Sequence, residues 1–460
     1  MHSANTARIN GNCMENLKFY LLTDTHYFEE SLGASGKAYE EYMKTEAFYM
    51  KESSEINKAV FKELKEDKET ELIIIPGDLS KDGEYESHKS LIKELNALKD
   101  AGKKIFVLTA GHDYNEFGRS YNNDEFVQVK GTELKELYNL YYEFGFKDAL
   151  SLDEETYSYI AEIAPQTRIL ALNCDSKKEC KGLIDERLLS WAKEQLEKAR
   201  EEGAYVIAMC HYPIIPSVPV FDLVGDAHVK NWREIASFLA DNGVELVLTG
   251  HMHIQSINEF VTETGNKLVD ICTATTVGTP AKYRKIEIAS NGRMDVKSID
   301  VTGFALPDNF NSYEEFFDWR FDYSIKNKIR KILDGGNGVG KVLKKIGLRV
   351  LNSIKLGTIS RILFIRIDKS LKEKKLIDFA GEIGTAIFKG DQPFVEGTSE
   401  FMAVKKALER FDFILKKVEP KFSKNGVEVD LTTMILNTIG NNKGYSDNNA
   451  VINLKGNINL

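Results

Sequence analysis

Two histidines lie two positions apart just beyond a short apolar segment of the chain. The segment Leu246–Thr249 is followed by Gly250, and the two histidines are His251 and His253. Side chains two positions apart in an extended chain point to the same side, so both imidazole rings can reach one point. Imidazole is a ligand of zinc, manganese and iron. Alone, the pair is equally consistent with two surface histidines near a turn.

The same arrangement, an apolar segment followed by residues that can bind a metal, occurs four more times. These residues are Asp24 with His26, Asp78, His112 with Asp113, and His211. The apolar segments have the length and composition of buried β-strands. In open α/β sheets, functional side chains gather at the carboxyl ends of the strands. We therefore expect the five segments to bring their aspartates and histidines to one metal site.

Charge is distributed unevenly along the 460-residue chain. Residues 1–300 contain 35 Lys and Arg against 51 Asp and Glu, whereas residues 301–460 contain 26 against 19. This asymmetry indicates two domains with different partners. The net charge of −9 is mildly acidic, so no specific nucleic-acid partner is predicted. The sequence gives no prediction of the oligomeric state.

The five cysteines are scattered and form no CxxC pair. Although Cys174 and Cys180 could pair across a loop, the distribution favours reduced thiols in a cytoplasmic protein. The first residues lack the apolar segment of a signal peptide, and no apolar run approaches the ~20 residues of a membrane span. Residues 1–16 are predicted to be a disordered lead-in.

Helical and extended segments alternate through the first half of the chain. An amphipathic helix is predicted over residues 185–200, and a strand is predicted over residues 204–209. Residues 115–130 are polar and aromatic and are predicted to form a loop near the mouth of the site. Four segments between residues 254 and 299 have the composition of antiparallel strands. The pattern predicts an α/β fold with two packed mixed β-sheets flanked by helices, followed by a mainly helical C-terminal region.

In chain order, the candidate residues lie in the motifs DxH, GD, GHD, a single H and GHxH. These separated motifs, in this order, resemble those of the calcineurin-like metallophosphoesterases. The resemblance covers residues 17 to about 300, and the segment from Gly77 to His88 is similar to that of a bacterial subgroup with a C-terminal helical extension. The resemblance implies a four-layer sandwich over residues 17–304 and a mainly helical C-terminal domain over residues 305–460.

The resemblance further implies two divalent metal ions, Mn, Fe, Ni or Zn, bound by six side chains. The ligands of the first ion would be Asp24, His26 and His253, those of the second His211 and His251, with Asp78 shared by both. Two such ions can bridge a water molecule, lower its pKa and present hydroxide to phosphorus. The implied substrate is therefore a phosphoester.

Two further residues would act in catalysis without binding metal. By the resemblance, His112 lies beside the leaving oxygen, and Asp113 orients the ring of His112. A protonated imidazole at that place could donate a proton to the leaving group or offset its developing charge.

One position departs from the family pattern. Members have an asparagine before the catalytic histidine, and its amide binds the second metal, whereas this chain has Gly111. Water, substrate or a nearby amide such as Asn115 would have to substitute. Two hypotheses therefore stay open: hydrolysis of a phosphate mono- or diester by a metal-bridging hydroxide, and a catalytically weak metal-binding or regulatory protein on the same fold.

The C-terminal region also has two interpretations. Residues 325–375 are rich in Lys and Arg, and apolar residues recur at helical spacing from Val342 to Ile354. Either the apolar stripe docks on the catalytic domain beneath a solvated basic face, or the segment contacts an anionic membrane or another polyanion. Residues 441–449 are predicted to be a frayed polar tail. His88 is predicted to pack or cap rather than to bind metal.

Overall fold

Two mixed β-sheets form the centre of the molecule. The structure is a computed structural model that describes residues 16–122, 124–177, 181–334, 353–422, 428–440 and 443–454. The predicted lead-in up to residue 15, Cys180 and the apolar stripe from Val342 to residue 351 lie outside the described residues. Ile354, at the end of that stripe, is described.

Within the described residues, the first sheet has six strands, in the order β15-β14-β13-β1-β2-β3. Their bounds are β1 Leu17–Leu21, β2 Leu72–Pro76, β3 Lys104–Leu108, β13 Lys282–Ile288, β14 Arg293–Asp300 and β15 Asn449–Asn453. Strands β1, β2 and β3 run parallel, and β13 pairs with β1 in the antiparallel direction. The parallel strands are nearly continuous apolar segments, as is typical of strands covered on both faces.

In the part of the chain that the structure describes, the second sheet has seven strands, in the order β11-β12-β10-β9-β8-β7-β6. Their bounds are β6 Ala149–Asp153, β7 Ser158–Ala164, β8 Thr167–Leu172, β9 Tyr205–Cys210, β10 Leu246–Thr249, β11 Ser256–Val261 and β12 Lys267–Cys272. Strands β8, β9, β10 and β12 are parallel to one another. Each sheet therefore contains a set of adjacent parallel strands, which is central in the second sheet and lies at one edge of the first.

In the described residues, all the α-helices lie between β1 and β15 in the chain. The α-helices of the described residues are α1 Lys37–Met43, α2 Ser53–Glu66, α3 Tyr85–Asp100, α4 Leu134–Leu140, α5 Glu186–Glu201, α6 Trp232–Asp241, α7 Tyr313–Asp334, α8 Leu356–Ile362, α9 Leu376–Lys389, α10 Ser399–Val418 and α11 Leu431–Ile439. None of them is long and apolar enough to cross a membrane.

Helix α5 illustrates how the sequence sets a helix and its buried face. Asp185 caps the helix by accepting a hydrogen bond from the backbone N–H of Leu188 at 2.8 Å. Leu188, Ala192 and Leu196 form one buried stripe at helical spacing. This stripe packs on the second sheet in a core that also contains Val206 of β9. The helix predicted over residues 185–200 is confirmed.

The two sheets pack face to face between outer helices. Phe19 of the first sheet and Leu248 of the second belong to one buried core, which also contains Ile56 of α2 and Leu91 of α3. On the other side of the second sheet, α5 and α6 close a separate core. The order helix, sheet, sheet, helix confirms the predicted four-layer α/β architecture with a helical C-terminal region.

The C-terminal part of the chain contacts the sheets at several places. Phe316 of α7 stacks on Tyr49, with ring centroids 3.7 Å apart. The fully buried Arg284 of β13 donates a hydrogen bond to the backbone carbonyl of Asp447 at 2.8 Å. Strand β15 pairs with β14 at the edge of the first sheet. The division between residues 304 and 305 stays a prediction, but the last strand of the C-terminal part lies in the first sheet.

The predicted frayed tail is wrong for residues 443–449, which the structure describes. Asp447 is fully buried and accepts a hydrogen bond from the backbone N–H of Ile257 at 2.9 Å. Lys443 forms an ion pair with the same carboxylate at 2.7 Å, and Asn449 begins β15. The polar side chains of this segment therefore form hydrogen bonds with the rest of the protein and an ion pair with one another. The amino-acid composition of the segment does not reveal this role.

Residues 115–130 are also not the predicted loop. They lie in an antiparallel hairpin formed by β4, Asn115–Asn122, and β5, Glu125–Thr132. Both strands are largely exposed and polar, so the alternation of apolar and polar residues that indicates a strand is weak here. Backbone pairing holds the hairpin together without that alternation.

Candidate metal centre

The candidate residues lie where parallel strands of both sheets end. Asp24 and His26 follow β1, Asp78 follows β2, His112 follows β3, His211 follows β9, and His251 and His253 follow β10. The carboxyl ends of these strands meet at one edge of the paired sheets, as the sequence predicted. Five strand ends thus build a single site.

The predicted metal ligands on β1, β2 and β10 share an uncommon backbone geometry. The φ angle is 51° at Asp24, 38° at His26, 49° at Asp78, 66° at His251 and 54° at His253. Left-handed geometry outside glycine costs on the order of 1–3 kcal/mol for each residue and persists only where the surroundings impose it. Its concentration at these strand ends indicates a functional site.

Asp24, His26 and His253 form a first group whose ligand atoms all lie within 4.8 Å of one another. The two Nε2 atoms of His26 and His253 are 3.0 Å apart, and Nε2 of His253 is 3.1 Å from Oδ1 of Asp24. The ring of His26 stacks on Phe48 at a centroid distance of 4.7 Å, which fixes its orientation. One carboxylate and two imidazoles therefore face a common point.

Asp78, His211 and His251 form a second group with the same spread of 4.8 Å. Nδ1 of His211 donates a hydrogen bond to the carbonyl of Pro76 at 2.8 Å, so its Nε2 is the nitrogen that faces Asp78 Oδ2, 3.0 Å away. Nε2 of His251 donates to the carbonyl of Asp226 at 2.7 Å, which leaves Nδ1 as its ligand atom. The backbone carbonyls thus set which nitrogen of each ring can bind a metal.

Asp78 lies between the two groups. Its Oδ2 atom is 3.0 Å from Nε2 of His211 in the second group and 3.9 Å from Nε2 of His26 in the first. The side chain is buried at the floor of the site, only 2 % exposed. A carboxylate in this position can serve both groups.

The donor atoms fit divalent metal ions. Oδ1 of Asp24 and Nε2 of His211 are buried, and neither makes a hydrogen bond within the described residues. A buried polar atom without a partner is costly, so each such atom requires an explanation. Two groups of carboxylate and imidazole ligands match the ligand preference of Mn, Fe, Ni and Zn.

The protonation of most of these side chains also fits metal binding. Burial holds the pKa of His26 well below its usual range and, together with the charge of His211, lowers the pKa of His251 to about 4. Burial opposes ionisation of Asp78, but the charges of His211 and His112 hold the pKa of this carboxyl well below its usual value. Neutral imidazoles and ionised carboxylates are the forms that bind cations.

His211 differs from the other histidines. Burial lowers the pKa of its ring, but the charges of Asp78 and Asp24 outweigh burial and raise the pKa well above its usual value. Two buried carboxylates therefore attract positive charge to this position. A divalent cation would supply that charge and leave the imidazole neutral.

His112 belongs to neither ligand group. Its Nδ1 donates to the backbone carbonyl of Lys81 at 2.9 Å and lies 3.0 Å from Oδ1 of Asp82. The ring meets that of His26 edge-on at 5.1 Å, and its side chain is 45 % exposed. Burial of the ring lowers its pKa, but Asp78 and Asp82 outweigh burial and raise it to about 9. Both carboxylates therefore favour the protonated form of the ring, which borders the first group.

The prediction that Asp113 orients His112 is wrong. Its two carboxylate oxygens accept hydrogen bonds from the backbone N–H groups of Ser80 and Ala110, each at 2.8 Å. These bonds join the loops after β2 and β3, and it is Asp82 that holds the imidazole. Asp113 is adjacent in sequence, but its side chain points into the loops. Sequence reasoning missed Asp82, which lies four positions after Asp78.

A second residue that sequence reasoning missed is Asp175. It follows β8, the remaining parallel strand beside β9, and is 3 % exposed. Burial raises the pKa of Asp175 to about 6, against the opposing effect of His211. The proposed substitute Asn115 instead begins β4, where it pairs with Thr132. The available indication was an aspartate three positions beyond a predicted strand.

His88 has the packing role that its sequence position predicted. It is fully buried, with Nδ1 2.8 Å from the hydroxyl of Tyr141 and Nε2 2.7 Å from the carbonyl of Asp113. Both ring nitrogens therefore have partners outside the ligand groups.

Known proteins resemble this chain at two levels, a family model and individual solved structures. The family model described as calcineurin-like phosphoesterase matches residues 17–255, just over half of the chain. The comparison with curated proteins gave no match. Among solved structures, a dimetal phosphatase from Danio rerio is 14 % identical with a TM-score of 0.44, covering 63 % of this chain and 98 % of that chain. The purple acid phosphatase PPD1 from yellow lupin (Lupinus luteus) is 11 % identical with a TM-score of 0.39, covering 64 % and 53 %.

The extent of the family match decides the assignment. It begins at β1 and ends just beyond the two histidines that follow β10, so it contains every residue of both ligand groups. The chain belongs to the calcineurin-like phosphoesterase family and is a metal-dependent hydrolase of phosphoesters.

Proposed function

We propose that the protein hydrolyses phosphate mono- or diesters at a site with two divalent metal ions. The observation that carries this proposal is the position of Asp78, whose Oδ2 atom approaches both His211 and His26. Asp24, His26 and His253 would hold one ion, and His211 and His251 the other, with Asp78 shared. When bound, two such ions activate water as a nucleophile and polarise the phosphoryl group.

His112 would protonate the leaving oxygen. The hydrogen bond to the Lys81 carbonyl and the contact with Asp82 engage Nδ1, so Nε2 is the nitrogen free to face the substrate. A protonated ring at that place can give its proton to the leaving oxygen. Asp82 favours the protonated form and holds the ring in position. The cytoplasmic location remains a prediction and is not part of this proposal. The oligomeric state is not part of it either.

The test is a substrate and metal panel. The protein is stripped with a chelator, reloaded with Mn, Fe, Ni or Zn, and assayed with p-nitrophenyl phosphate and bis(p-nitrophenyl) phosphate. We expect turnover with at least one metal and two bound ions per chain. The Asp24→Ala variant, which removes the carboxylate of the first group, is expected to lose turnover.

The same panel separates the two hypotheses. A protein that binds two ions but hydrolyses neither ester, nor a wider set of natural phosphoesters, would support the regulatory alternative. A protein that binds no ion would contradict both hypotheses.

A further inference from the structure

The loop after β8 places a carboxylate beside the position where the family pattern is broken. Asp175 lies in this loop and is 3 % exposed. Its backbone N–H donates a hydrogen bond to Oδ1 of Asn173 at 3.1 Å, which fixes the course of the loop. His211, a ligand of the second group, follows the neighbouring strand β9. The six parallel strands β1 to β3 and β8 to β10 therefore all end at the site.

Gly111 and Asp175 are complementary in shape. A Cβ atom built on Gly111 would lie 2.2 Å from Oδ2 of Asp175 and 3.0 Å from its Cγ. Non-bonded atoms do not approach so closely, so any side chain at position 111 would displace the carboxylate. The carboxylate thus fills the space into which the family's asparagine would extend from position 111.

The two oxygens of Asp175 have different surroundings. The backbone N–H of Gly111 donates a hydrogen bond to the carboxylate. Oδ1 is buried and has no hydrogen-bond partner within the described residues. The strongest charge interactions of this carboxylate are with His211 and Asp78, two ligands of the second group. An anchored carboxylate with one unpartnered oxygen therefore lies near the second group, outside the 4.8 Å spread of its three ligand atoms.

We propose that Asp175 replaces the missing asparagine as a ligand of the second metal ion. Loss of the side chain at position 111 and gain of the carboxylate from the β8 loop are then two halves of one substitution. This inference rests on the proposed dinuclear site. It gives the second group an ionised oxygen ligand in place of a neutral amide, which favours hard ions such as Mn. It also removes the reason to regard Gly111 as a loss of function.

The first test measures metal binding directly. Wild type, Asp175→Ala and Asp175→Asn are dialysed against chelator and titrated with Mn by calorimetry, and bound Mn is counted by mass spectrometry. We expect wild type to bind two ions and Asp175→Ala to keep the first while its second dissociation constant rises at least about tenfold. Asp175→Asn retains an oxygen ligand and should lie between them.

A matched control addresses loss of stability. Asp153 is a buried aspartate at the end of β6, paired with Arg187 at 2.6 Å and outside both ligand groups. Asp153→Ala is expected to leave both Mn constants unchanged even if its melting temperature falls. If Asp153→Ala and Asp175→Ala weaken the second ion equally, Asp175 is a structural residue only and the inference is overturned.

The second test restores the family's asparagine at position 111 and removes the carboxylate of Asp175. Gly111→Asn alone should weaken the second ion, because the new side chain collides with Asp175. In Gly111→Asn combined with Asp175→Ala, the amide takes over the vacated space and the second ion should return to within about tenfold of wild type. Failure of the pair to recover any affinity, with circular dichroism showing a folded chain, contradicts the inference.

The two proposals fail in different ways. A wild-type chain that binds no metal would overturn the proposed function together with this inference. A wild-type chain that binds two ions, with the same two constants in Asp175→Ala, would overturn only the role of Asp175.

Discussion

Charged side chains are abundant both at the site and in the C-terminal part, but their surroundings differ. At the edge of the two sheets, Asp24, Asp78 and His211 are at most 2 % exposed and lie within 4 Å of a partner across strands. In the C-terminal part, Lys355 pairs with Glu373, with side chains 50 % and 81 % exposed. The charges at the site are removed from water, whereas those of Lys355 and Glu373 remain in it.

The difference lies in the energy of burial. An exposed ion pair contributes about 0–1 kcal/mol, and salt screens it. A charge buried without compensation costs several kcal/mol, so such residues persist where a bound ion or a reaction requires them. Burial and convergence, rather than charge itself, separate the candidate site from a solvated surface.

The largest expected effect comes from the carboxylate between the two ligand groups. Asp78→Asn removes a negative charge that both groups share, so we expect loss of at least one ion and of nearly all turnover. Metal content by mass spectrometry and hydrolysis of bis(p-nitrophenyl) phosphate measure the two effects. Glu373→Gln, an exposed charge of the C-terminal part, is the control and should change neither. Unaltered metal content and turnover in Asp78→Asn would contradict the shared role.

His112 should affect the rate without affecting the metals. His112→Ala is expected to lower kcat by on the order of 10²–10⁴ for esters with poor leaving groups, and less for p-nitrophenyl esters. Asp82→Asn should have a smaller effect, because the Lys81 carbonyl still holds Nδ1 of the ring. Both variants should retain two ions. Loss of an ion in His112→Ala would show that His112 is a ligand rather than an acid.

His88 shows that a buried histidine need not belong to the site. Burial lowers its pKa to about 4, below the value near 6.5 of an unfolded chain. As pH falls, His88 therefore takes up a proton at a higher pH in the unfolded state than in the folded state. The contribution of His88 to stability is complete above pH 6.5 and is lost as pH falls toward 4. Between pH 8 and pH 5 the loss amounts to about 2 kcal/mol.

The variant His88→Gln tests this pH dependence. Urea unfolding of wild type and variant at pH 8 and pH 5 gives the unfolding free energy of each protein at each pH. The metal ligands titrate alike in the two proteins, so their effect cancels when the two pH-dependent losses are compared. The wild type should lose more stability than the variant on going to pH 5. Parallel losses in the two proteins would mean that His88 does not titrate in this range.

The smallest effect is expected on the C-terminal surface. Arg361, Arg366 and Lys369 are exposed, and Phe364 between them is 85 % exposed. Each basic residue near an anionic membrane contributes about 1 kcal/mol, and salt screens the attraction. The full chain should therefore bind anionic vesicles at low salt and release them at high salt in a co-sedimentation assay.

A charge reversal checks that surface. Arg361→Glu combined with Arg366→Glu should reduce vesicle binding while leaving phosphoester hydrolysis unchanged. If the wild-type chain does not sediment with anionic vesicles at low salt, docking within the protein is the better interpretation of the C-terminal region.

Much of the site was predictable because its ligands follow apolar segments in chain order. Asp24, His26, His211 and the pair after β10 needed only the rule that functional groups gather at strand ends. Asp175 was not predictable from that rule, because its role depends on the shape of the loop opposite Gly111. The role of Asp82 likewise depends on how two loops fold together. Residues that support or replace a ligand from another strand leave no local pattern.

Strand β15 has a consequence for how the molecule is assembled. Ser298 of β14 and Asn449 at the start of β15 are 151 positions apart. At synthesis rates of about 5–20 residues per second, β14 would stay unpaired on one side for roughly 8–30 s. An unpaired edge strand is a template for association with other chains. A fragment that stops at residue 304 would keep that edge permanently, so it should aggregate more readily than the full chain.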